Sequence, residues 1–379
     1  MKKALIITTI SGFVPQFEMN NVRILQEVGY EVHYASNFDR PVYEFDDSLF
    51  EKAGIITHHF SIEKSPFCVT QNIGAFFQLK KLLRKEKFDL IHCHNPMGGV
   101  LGRLAGSLYA PDAVMIYTAH GFHFYKKAPL KNWLMYYPVE RWLAHRTDII
   151  VTINREDHER ASSFRLKKGG KVWQIPGVGL DVERFHPQPE LRTEEKRELG
   201  FPEHAFLVLS VGELNRNKNH QAVIRALAQL RDRAVYYGIC GRGRERKKLE
   251  QLIAEEGLQG HVKLLGYRKD IEKVLQGADC FIFPSRREGF GMAAVEAMAV
   301  GVPLITSDCR GTREYMLDGR TGIVCSDNLL GSYANAIERM KASVSMRNRM
   351  GQVCRRRALQ FSKEESARVM RQVYGSVKK

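Results

Sequence analysis

Residues 280–308 read CFIFPSRREGFGMAAVEAMAVGVPLITSD and contain three successive patterns. A short run of aromatic and aliphatic residues ends at Pro284-Ser285 and predicts a buried strand. Gly289-Phe290-Gly291 then allows a tight turn, and an alanine-rich helix is expected from about Met292. A second apolar run at 303–308 predicts the next strand. Strand, helix and strand in this order indicate a parallel sheet covered by helices.

The same alternation extends along the whole chain in two series. Ten short apolar runs predict strands, at 2–10, 30–36, 88–94, 113–120 and 148–153 in the first series and at 205–212, 235–241, 262–266, 280–285 and 303–308 in the second. A segment rich in Pro and Gly, 176–195, lies between the series and predicts a linker. The expected fold class is α/β, with two Rossmann-like domains, 1–180 and 181–360, facing a central cleft. The amphipathic helix at 361–379 is expected to pack back toward the first domain.

Composition and charge narrow the class of protein. The chain has 379 residues, of which 44% are hydrophobic and 26% charged, so it is globular and large enough for two domains. No apolar run approaches the roughly 18 residues of a membrane helix, and residues 1–13 fit a buried strand better than a signal peptide. The seven cysteines are dispersed, which favours reduced thiols over disulfides. We expect a cytoplasmic protein, and its net charge of +16 favours anionic partners such as nucleotides, an acidic membrane surface or nucleic acid.

The loop and helix within 284–305 have the features of a phosphate site. Glycine lets the backbone approach a ligand, and the first N–H groups of a helix carry partial positive charge. Glu296, about one turn into the helix, can accept hydrogen bonds from a vicinal diol such as a ribose, and Glu288 would meet a sugar from the loop side. The alternative is that Glu288 is a surface loop residue and Glu296 a solvated helix position. The apolar neighbours of Glu296 argue against this, because an acid inside an apolar helix needs a partner.

The segment EGFGMAAVEAMAVGVPLI resembles the E-x7-E signature of the group 1, family 4 retaining glycosyltransferases, which have the GT-B fold. The resemblance covers the whole chain, including SVGELNRNKNHQAVIRAL, CGRGRERKKLEQLI, LLGYRKDIEKVLQGADCFIFPS and TAHGFHFYKKAPLKNWLMYYPVERWLAHRTD. It implies a nucleotide-diphosphate sugar as donor, retention of the anomeric configuration, no essential metal and no cofactor. It also implies that 1–180 binds the acceptor and 181–360 the nucleotide sugar.

The resemblance assigns the donor contacts residue by residue. Glu296 corresponds to the glutamate that binds the ribose, and Glu288 to the one that meets the sugar hydroxyls. Lys218 matches a lysine that grips the diphosphate, and together with Glu288 and His120 it forms the expected catalytic set. The backbone after Glu288 would hold the distal phosphate or the sugar, at Gly289, Phe290, Gly291 and Met292.

One position departs from the family pattern. The arginine five residues before the lysine is Glu213 here, so Arg216 is expected to take its place. The alternative is that Lys218 and Arg216 form the solvated start of a helix, where a cation is unfavourable unless an anion offsets it. Gly241, in a Gly-Arg-Gly turn, and Arg268, near the base, complete the expected donor site. For Gly241 an ordinary tight turn is the alternative.

The first domain supplies the other half of the expected site. His120 ends a predicted strand and should point into the cleft, where an imidazole can hydrogen-bond a sugar hydroxyl or exchange a proton. The resemblance places it beside the transferred sugar. Gly12 ends the first strand and is assigned to the donor phosphate, with a simple strand-to-helix turn as the alternative. His94, Asn95 and His123 are assigned to the acceptor.

His92-Cys93-His94 raises the question of a metal. On a strand, His92 and His94 share one face while Cys93 points away. Two ligands without a partner motif do not make a zinc site, so the sequence predicts no metal.

The sequence therefore predicts a metal-independent hexosyltransferase. It would move a hexose or N-acetylhexosamine from a UDP-linked donor to a glycan or a polyprenyl-diphosphate-linked acceptor in polysaccharide or exopolysaccharide biosynthesis. The alternatives are a nucleotide-sugar epimerase of similar fold and a nucleic-acid-binding protein, although no nucleic-acid-binding motif is present and no nucleic-acid partner is expected. The aromatic stretch 132–146, with Lys126, Lys127, Lys131 and Arg141, suggests peripheral binding at the inner, anionic face of the plasma membrane.

Overall fold

The structure is a computed structural model that describes residues 1–39, 42–43, 45–46, 48–326 and 329–377. The chain forms two compact units. Unit 1 comprises Met1–Gly179 and Lys363–Lys379, and unit 2 comprises Leu180–Ser362. The chain therefore leaves unit 1, forms unit 2 and returns to unit 1.

Each unit is built on one parallel sheet. The strands of unit 1 are β1 (Lys2–Ile7), β2 (Tyr30–Ser36), β3 (Ile56–His59), β4 (Leu90–His94), β5 (Val114–Ala119), β6 (Ile149–Thr152) and β7 (Lys171–Gln174). Those of unit 2 are β8 (Phe206–Val211), β9 (Val235–Cys240), β10 (Val262–Gly266), β11 (Cys280–Phe283), β12 (Leu304–Ser307) and β13 (Gly322–Cys325). In the described residues the strand orders are β3-β2-β1-β4-β5-β6-β7 and β10-β9-β8-β11-β12-β13. Both sheets are Rossmann-like, which confirms the predicted α/β class.

Helices connect the strands in both units. They are α1 (Met19–Glu27), α2 (Leu49–Lys52), α3 (Val69–Lys85), α4 (Pro96–Tyr109), α5 (Leu130–Ala144), α6 (Arg155–Ser162), α7 (Arg192–Glu198), α8 (His220–Leu230), α9 (Arg246–Glu255), α10 (Ile271–Val274), α11 (Met292–Val300), α12 (Leu330–Ala342), α13 (Val344–Ala358) and α14 (Lys363–Gly375). A single π-helical turn, Val14–Glu18, precedes α1.

In unit 1, α4 lies very close to the centre of the sheet. A Cβ atom on Gly102 would stand 2.3 Å from the Cys93 sulfur in β4, and one on Gly99 would stand 2.5 Å from the Tyr117 ring in β5. Only glycine allows this approach. β4 is buried along its whole length, as a strand covered on both faces should be. The carboxyl ends of β4 and β5 are thereby fixed next to each other.

In unit 2, α11 is almost uniformly apolar and packs into the core, as expected for a helix without a polar face. Gly291 precedes it with φ of 96°, and Gly301 follows it with φ of 89°. A Cβ atom on Gly291 would stand 2.7 Å from the Phe283 ring. The glycine turn predicted before this helix is therefore required both by backbone conformation and by packing.

The last helix, α14, belongs to unit 1. The Tyr374 hydroxyl lies 2.9 Å from His92 Nδ1 on β4. The Asn20 amide donates to the Lys363 carbonyl at 3.0 Å. These contacts tie α14 to β4 and to α1.

Candidate functional site

In unit 2, the loop between β11 and α11 brings a cation and an acid together. Lys218 Nζ lies 2.7 Å from Glu288 Oε1. Both side chains are largely buried, and the ammonium lies 4.5 Å from the centroid of the Phe283 ring. An aromatic face attracts a cation through its quadrupole. The residues assigned to the diphosphate and to the sugar hydroxyls thus stand side by side.

Two loops hold this pair in place. The loop after β8 carries Lys218, and the loop after β11 carries Glu288. Asn217 joins the loops, because its carbonyl accepts from the Arg286 N–H at 2.8 Å and its side-chain amide donates to the Arg287 carbonyl at 2.9 Å. The separation of Lys218 and Glu288 is therefore constrained by the hydrogen bonds of Asn217 between the two loops.

Arg310 is a further basic residue at this loop. Its Nε donates to the Glu288 carbonyl at 3.4 Å, and the side chain is buried. It follows β12 and stands in none of the motifs that identified the site, so the sequence analysis missed it. The available signal was a basic residue shortly after a predicted strand. Lys218, Arg310 and the amino end of α11 together create a positive environment around Glu288.

Glu296 is half-buried on α11. Burial raises the pKa of its carboxyl to about 7, and the charge of Glu272 adds to this rise while Arg184 opposes it. Among the described residues, no hydrogen bond or ion pair of the Glu296 carboxyl is present. An acid held in a mainly apolar helix without a protein partner fits a residue whose partner is a ligand.

Arg216 does not share the environment of Lys218. Its side chain is 76% exposed, and its guanidinium lies 3.8 Å from the Glu245 carboxylate. Glu213, at the arginine position of the family, is exposed as well. In the part of the chain that the structure describes, Arg216 makes no ion pair with Glu288, and its assignment to the diphosphate stays a prediction.

Arg268 and Gly241 also lie outside the contacts of the Lys218–Glu288 pair. Arg268 forms a two-point ion pair with Asp270, at 2.8 and 2.5 Å. A Cβ atom on Gly241 would stand 1.9 Å from the Gly212 carbonyl oxygen. The close approach of two strand ends explains why a glycine is needed at this position. Contact of either residue with a nucleotide stays a prediction.

In unit 1, three polar side chains converge at the ends of β4 and β5. His94 Nδ1 lies 3.1 Å from His120 Nε2. Glu18 Oε1 lies 3.4 Å from His94 Nδ1 and 3.6 Å from His120 Nε2. The two histidines were predicted from the sequence, but Glu18 was not. We call these three residues the Glu–His–His cluster.

Local structure explains how Glu18 reaches the histidines. β1, β4 and β5 are neighbours in the sheet, so their carboxyl ends lie together. The π-helical turn after β1 ends at Glu18, and the Asn21 amide donates to Glu18 Oε2 at 2.5 Å. The Phe13 ring packs edge-on against His120 with centroids 4.9 Å apart. Contacts within the turn that carries Glu18 therefore fix its carboxyl beside the two imidazoles.

Burial governs the ionisation of the cluster. Burial raises the pKa of the Glu18 carboxyl to about 8, and the hydrogen bond from Asn21 opposes this rise more weakly. Burial lowers the pKa of His120 to about 4, and it places the pKa of His94 well below its ordinary value. Burial thus favours the uncharged form of all three side chains.

The remaining residues predicted in unit 1 have separate contacts. Asn95 has φ of 62°, and its side-chain oxygen accepts from the Thr9 N–H at 3.3 Å, which ties the end of β4 to the segment after β1. A Cβ atom on Gly12 would stand 2.5 Å from the Tyr43 carbonyl oxygen, so packing requires this glycine. The His123 ring packs on Tyr136 of α5, with centroids 4.5 Å apart.

His92 and His94 share one face of β4, as predicted, with ring centroids 4.1 Å apart. His92 is occupied by other partners, since its Nε2 lies 2.7 Å from the Thr118 hydroxyl and its Nδ1 contacts Tyr374. His92 therefore has a structural role beside the cluster.

Comparison with known proteins covers both units. Residues 4–154 match the family described as glycosyl transferase 4-like, and residues 192–357 match glycosyl transferases group 1. EpsD of Bacillus subtilis (strain 168), named as a glycosyltransferase, is 36% identical over 379 residues, covering 99% of this chain and 97% of EpsD. UDP-Gal:alpha-D-GlcNAc-diphosphoundecaprenol alpha-1,3-galactosyltransferase of Escherichia coli is 29% identical over 275 residues, covering 71% of this chain and 70% of the relative.

Solved structures agree in fold. HepE of Anabaena, in complex with UDP and glucose, has a TM-score of 0.81 and 21% identity, and the match covers 100% of both chains. The two Rossmann-like units, the Lys218–Glu288 pair and these matches lead to one conclusion. The chain belongs to the group 1 glycosyltransferases and is a transferase of the GT-B fold.

Proposed function

We propose that the chain transfers a hexose or N-acetylhexosamine, with retention of configuration, from a UDP-sugar to a glycan or polyprenyl-diphosphate-linked acceptor in polysaccharide biosynthesis. The observation that carries this proposal is the Lys218–Glu288 pair, with 2.7 Å between the charged atoms, next to the amino end of α11. The relatives support the choice of substrates. The E. coli relative is named for UDP-galactose and a diphosphoundecaprenol-linked sugar, and HepE was solved with UDP and glucose.

The positive groups suit a departing diphosphate. As the bond between the sugar C1 and the phosphate oxygen breaks, negative charge grows on the leaving group. Lys218, Arg310 and the first N–H groups of α11 can stabilise this charge without moving, which is electrostatic catalysis. Neutralisation by these groups makes a metal ion at the diphosphate unnecessary.

The Lys218–Glu288 pair can contact both the diphosphate and the sugar of the donor. A lysine ammonium has three N–H donors, so Lys218 can bind phosphate oxygens while it keeps one hydrogen bond to Glu288. The second oxygen of Glu288 can then accept from a sugar hydroxyl. The ion pair in the free protein thus preorganises both groups before the donor binds.

Glu296 is proposed to bind the ribose. Two adjacent ribose hydroxyls can donate to one carboxylate, and this supplies the hydrogen bonds that Glu296 lacks among the described residues. The ligand would also favour the ionised form of a carboxyl whose pKa of about 7 is raised by burial.

In the transfer step, an acceptor hydroxyl attacks C1 from the face that the diphosphate leaves. The new C1–O bond replaces the old one, and the hydroxyl proton passes to a diphosphate oxygen. Retention follows because the nucleophile enters on the side of the leaving group. For unit 1, we assign the sugar contact to His120 and acceptor contacts to His94, Asn95 and His123.

Titration calorimetry with UDP tests the donor site. Lys218→Met should weaken UDP binding at least about tenfold and lower kcat by about 100-fold or more, as loss of one charge-stabilising group commonly does. Lys81→Met is the matched control, because Lys81 is an exposed lysine on α3 of unit 1. Equal effects of the two substitutions would remove the basis of the proposal.

A thermal-shift screen across UDP-, GDP- and ADP-sugars identifies the donor. We expect stabilisation by a UDP-sugar, and stabilisation by GDP- or ADP-sugars alone would overturn that choice. NMR of the product gives the anomeric configuration, and an inverted linkage would refute retention. An epimerase would convert the nucleotide sugar without acceptor, whereas the transferase requires one.

Peripheral membrane binding is the second part of the proposal. Among the described residues, no helix combines the length and apolar composition that crossing a bilayer requires. On α5, however, Leu130 is 72%, Leu134 69% and Trp142 49% exposed. Basic residues accompany them, including Lys131 and Arg141. Exposed apolar groups among cations suit the interface of an anionic membrane.

Sedimentation with liposomes tests the membrane surface. The protein should bind anionic vesicles in a salt-dependent manner and bind zwitterionic vesicles weakly. Leu134→Glu should reduce binding, whereas Val344→Glu, at an apolar position of unit 2 that is 60% exposed, should not. Absence of binding at every salt concentration would refute this part.

A further inference from the structure

Unit 2 contains a cavity of about 420 Å³ whose described lining includes neither Lys218 nor Glu288. It lies where the loop after β11 meets the amino ends of α8 and α12. Sites for small ligands commonly have volumes of about 300–1,000 Å³. The proposed transfer reaction gives no role to the described residues that line this cavity, which are Asn219, Gln221, Ala222, Arg225, Arg286 and Leu330.

Two arginine side chains at this cavity lack an acidic partner. Arg225 and Arg286 are both exposed, and among the residues that the structure describes no carboxylate forms an ion pair with either guanidinium. Arg286 makes one weak contact, in which its Nη2 donates to the side-chain oxygen of Asn219 at 3.5 Å. A guanidinium group binds carboxylate or phosphate through paired N–H donors. Both groups are therefore available to an anionic ligand.

The amino end of α8 adds to this positive environment. Asn219 precedes the helix in the left-handed conformation, with φ of 56°, and its side chain makes no capping hydrogen bond. The first N–H groups of a helix have no partner within the helix and carry partial positive charge. Gln221 and Arg225 are four residues apart and thus lie on one face of α8. The helix end and the two guanidinium groups favour the same kind of ligand.

A second cavity, of about 350 Å³, adjoins the first and shares two lining residues with it, Gln221 and Arg286. Its other described lining residues are Arg216, Lys248 and Glu245. Together, the described linings of the two cavities contain four cationic side chains and one acid. Such an excess of positive charge suits a ligand with more than one negative charge, and a phosphate or diphosphate group provides this.

We propose that Arg225 and Arg286, with the amino end of α8, bind a phosphate or diphosphate group of a second ligand, distinct from the sugar donor. Leu330, which is 37% exposed, and Ala222 form an apolar wall for the organic part of this ligand. Free sugar phosphates and polyprenyl phosphates both carry such a group. The site uses none of the side chains proposed to bind the donor, so it does not depend on the proposed function.

Titration calorimetry with inorganic pyrophosphate tests the site. The full chain should bind pyrophosphate both alone and with UDP present, because UDP occupies a different site. Arg225→Met or Arg286→Met should weaken this binding about 10- to 100-fold, as expected for the loss of a charge-assisted hydrogen bond. Arg349→Met is the control, since Arg349 is an exposed arginine of unit 2 on α13. Equal effects of the three substitutions, or displacement of pyrophosphate by UDP, would overturn the proposal.

Competition experiments identify the source of the phosphate group. Displacement of pyrophosphate by a hexose phosphate in solution would support the proposal and indicate a soluble ligand. Displacement only by vesicles that contain a polyprenyl phosphate would also support it and indicate a lipid ligand. Displacement by neither would show that the cavity attracts small anions without selecting a ligand, and this result would refute the proposal.

Chemical labelling uses the unaltered chain and therefore does not depend on how the variants fold. Phenylglyoxal modifies accessible guanidinium groups, and mass spectrometry of the peptides locates each modified arginine. Pyrophosphate should slow the modification of Arg225 and Arg286 and leave that of Arg349 unchanged. Equal protection of all three arginines would show a general effect of charge and contradict the assignment.

Discussion

Glu296→Gln should make unit 2 more stable while it weakens nucleotide binding. The substitution keeps the size of the side chain and removes its charge. In the folded protein, burial raises the pKa of this carboxyl from 4.5 to about 7. As pH rises above 4.5, the unfolded chain loses this proton first, and the folded chain keeps it until about pH 7. The folded state is therefore penalised progressively over this interval and fully above it.

The size of the effect follows from the pKa shift. A shift from 4.5 to about 7 corresponds to about 3.5 kcal/mol at most, since one pKa unit is worth about 1.4 kcal/mol. For a unit of this size, about 1 kcal/mol changes Tm by about 2–4 °C. Glu296→Gln should thus raise Tm by up to about 14 °C at pH 8 and change it little at pH 4.5.

Calorimetry with UDP measures the expected loss of nucleotide affinity. A glutamine has one acceptor oxygen and no charge, so it should lose about 1.5–3 kcal/mol of charged hydrogen bonding to the ribose, which is about 10- to 100-fold in Kd. At pH 7, UDP binding to the unaltered chain should also release protons, detectable as heats that vary with the buffer. The variant should release none from this site.

Two outcomes would refute this reasoning. An equal change in Tm at pH 4.5 and pH 8 would show that the carboxyl is not the group that titrates. An unchanged Kd for UDP, together with the predicted stabilisation, would show that Glu296 is a buried acid without a role in the ribose site. Urea unfolding at both pH values gives an independent measure of the free energy.

Three further predictions concern packing, and unfolding in denaturant checks each of them. Gly102→Ala presses a methyl group against a buried thiol of β4 and should cost about 1–3 kcal/mol. Its control is Gly74→Ala, whose new methyl group would have no atom within 4 Å and should stabilise α3 by up to about 1 kcal/mol. Equal effects of the two substitutions would contradict the tight contact of α4 with the sheet. Gly291→Ala forces a side chain to φ of 96° and should cost about 1–3 kcal/mol, so a neutral result would be evidence against that strain. Arg103→Met leaves the buried Glu140 carboxylate without its cation at 2.7 Å, with only the Tyr117 hydroxyl still donating to it at 3.1 Å, and should cost about 3–5 kcal/mol. Adding Glu140→Leu should recover most of this loss, and a failure to recover would show that the pair is not the cause.

The sequence predicted the interior of both sheets and missed strands at their edges. All ten predicted apolar runs contain strands of the structure, because a strand covered on both faces must be apolar throughout. The missed strands, β3, β7 and β13, have four residues each and lie at sheet edges. β3 reads ITHH and is largely exposed. Such a strand carries no continuous apolar run, so its place depends on the neighbouring strand.

The candidate sites show a similar limit. Lys218 and Glu288 were identified individually by motif, but their pairing depends on Asn217, which joins two loops far apart in sequence. Glu18 could not be found from its own segment, because a π-helical turn has no sequence signature and a single acid before a helix is common. Strand order supplies the missing information, since β1 lies beside β4 and β4 beside β5.

The return of α14 to unit 1 has a consequence for the order in which the protein is made. A ribosome completes residues 180–362 before it adds the helix that contains Tyr374. Unit 2 therefore has all its strands available for folding while unit 1, although begun first, still lacks α14. Until that helix is released, His92 has no tyrosine hydroxyl and the surface of α1 is uncovered. Unit 1 thus emerges first from the ribosome but is completed last. An incomplete unit 1 must therefore avoid aggregation for the whole time that unit 2 is synthesised.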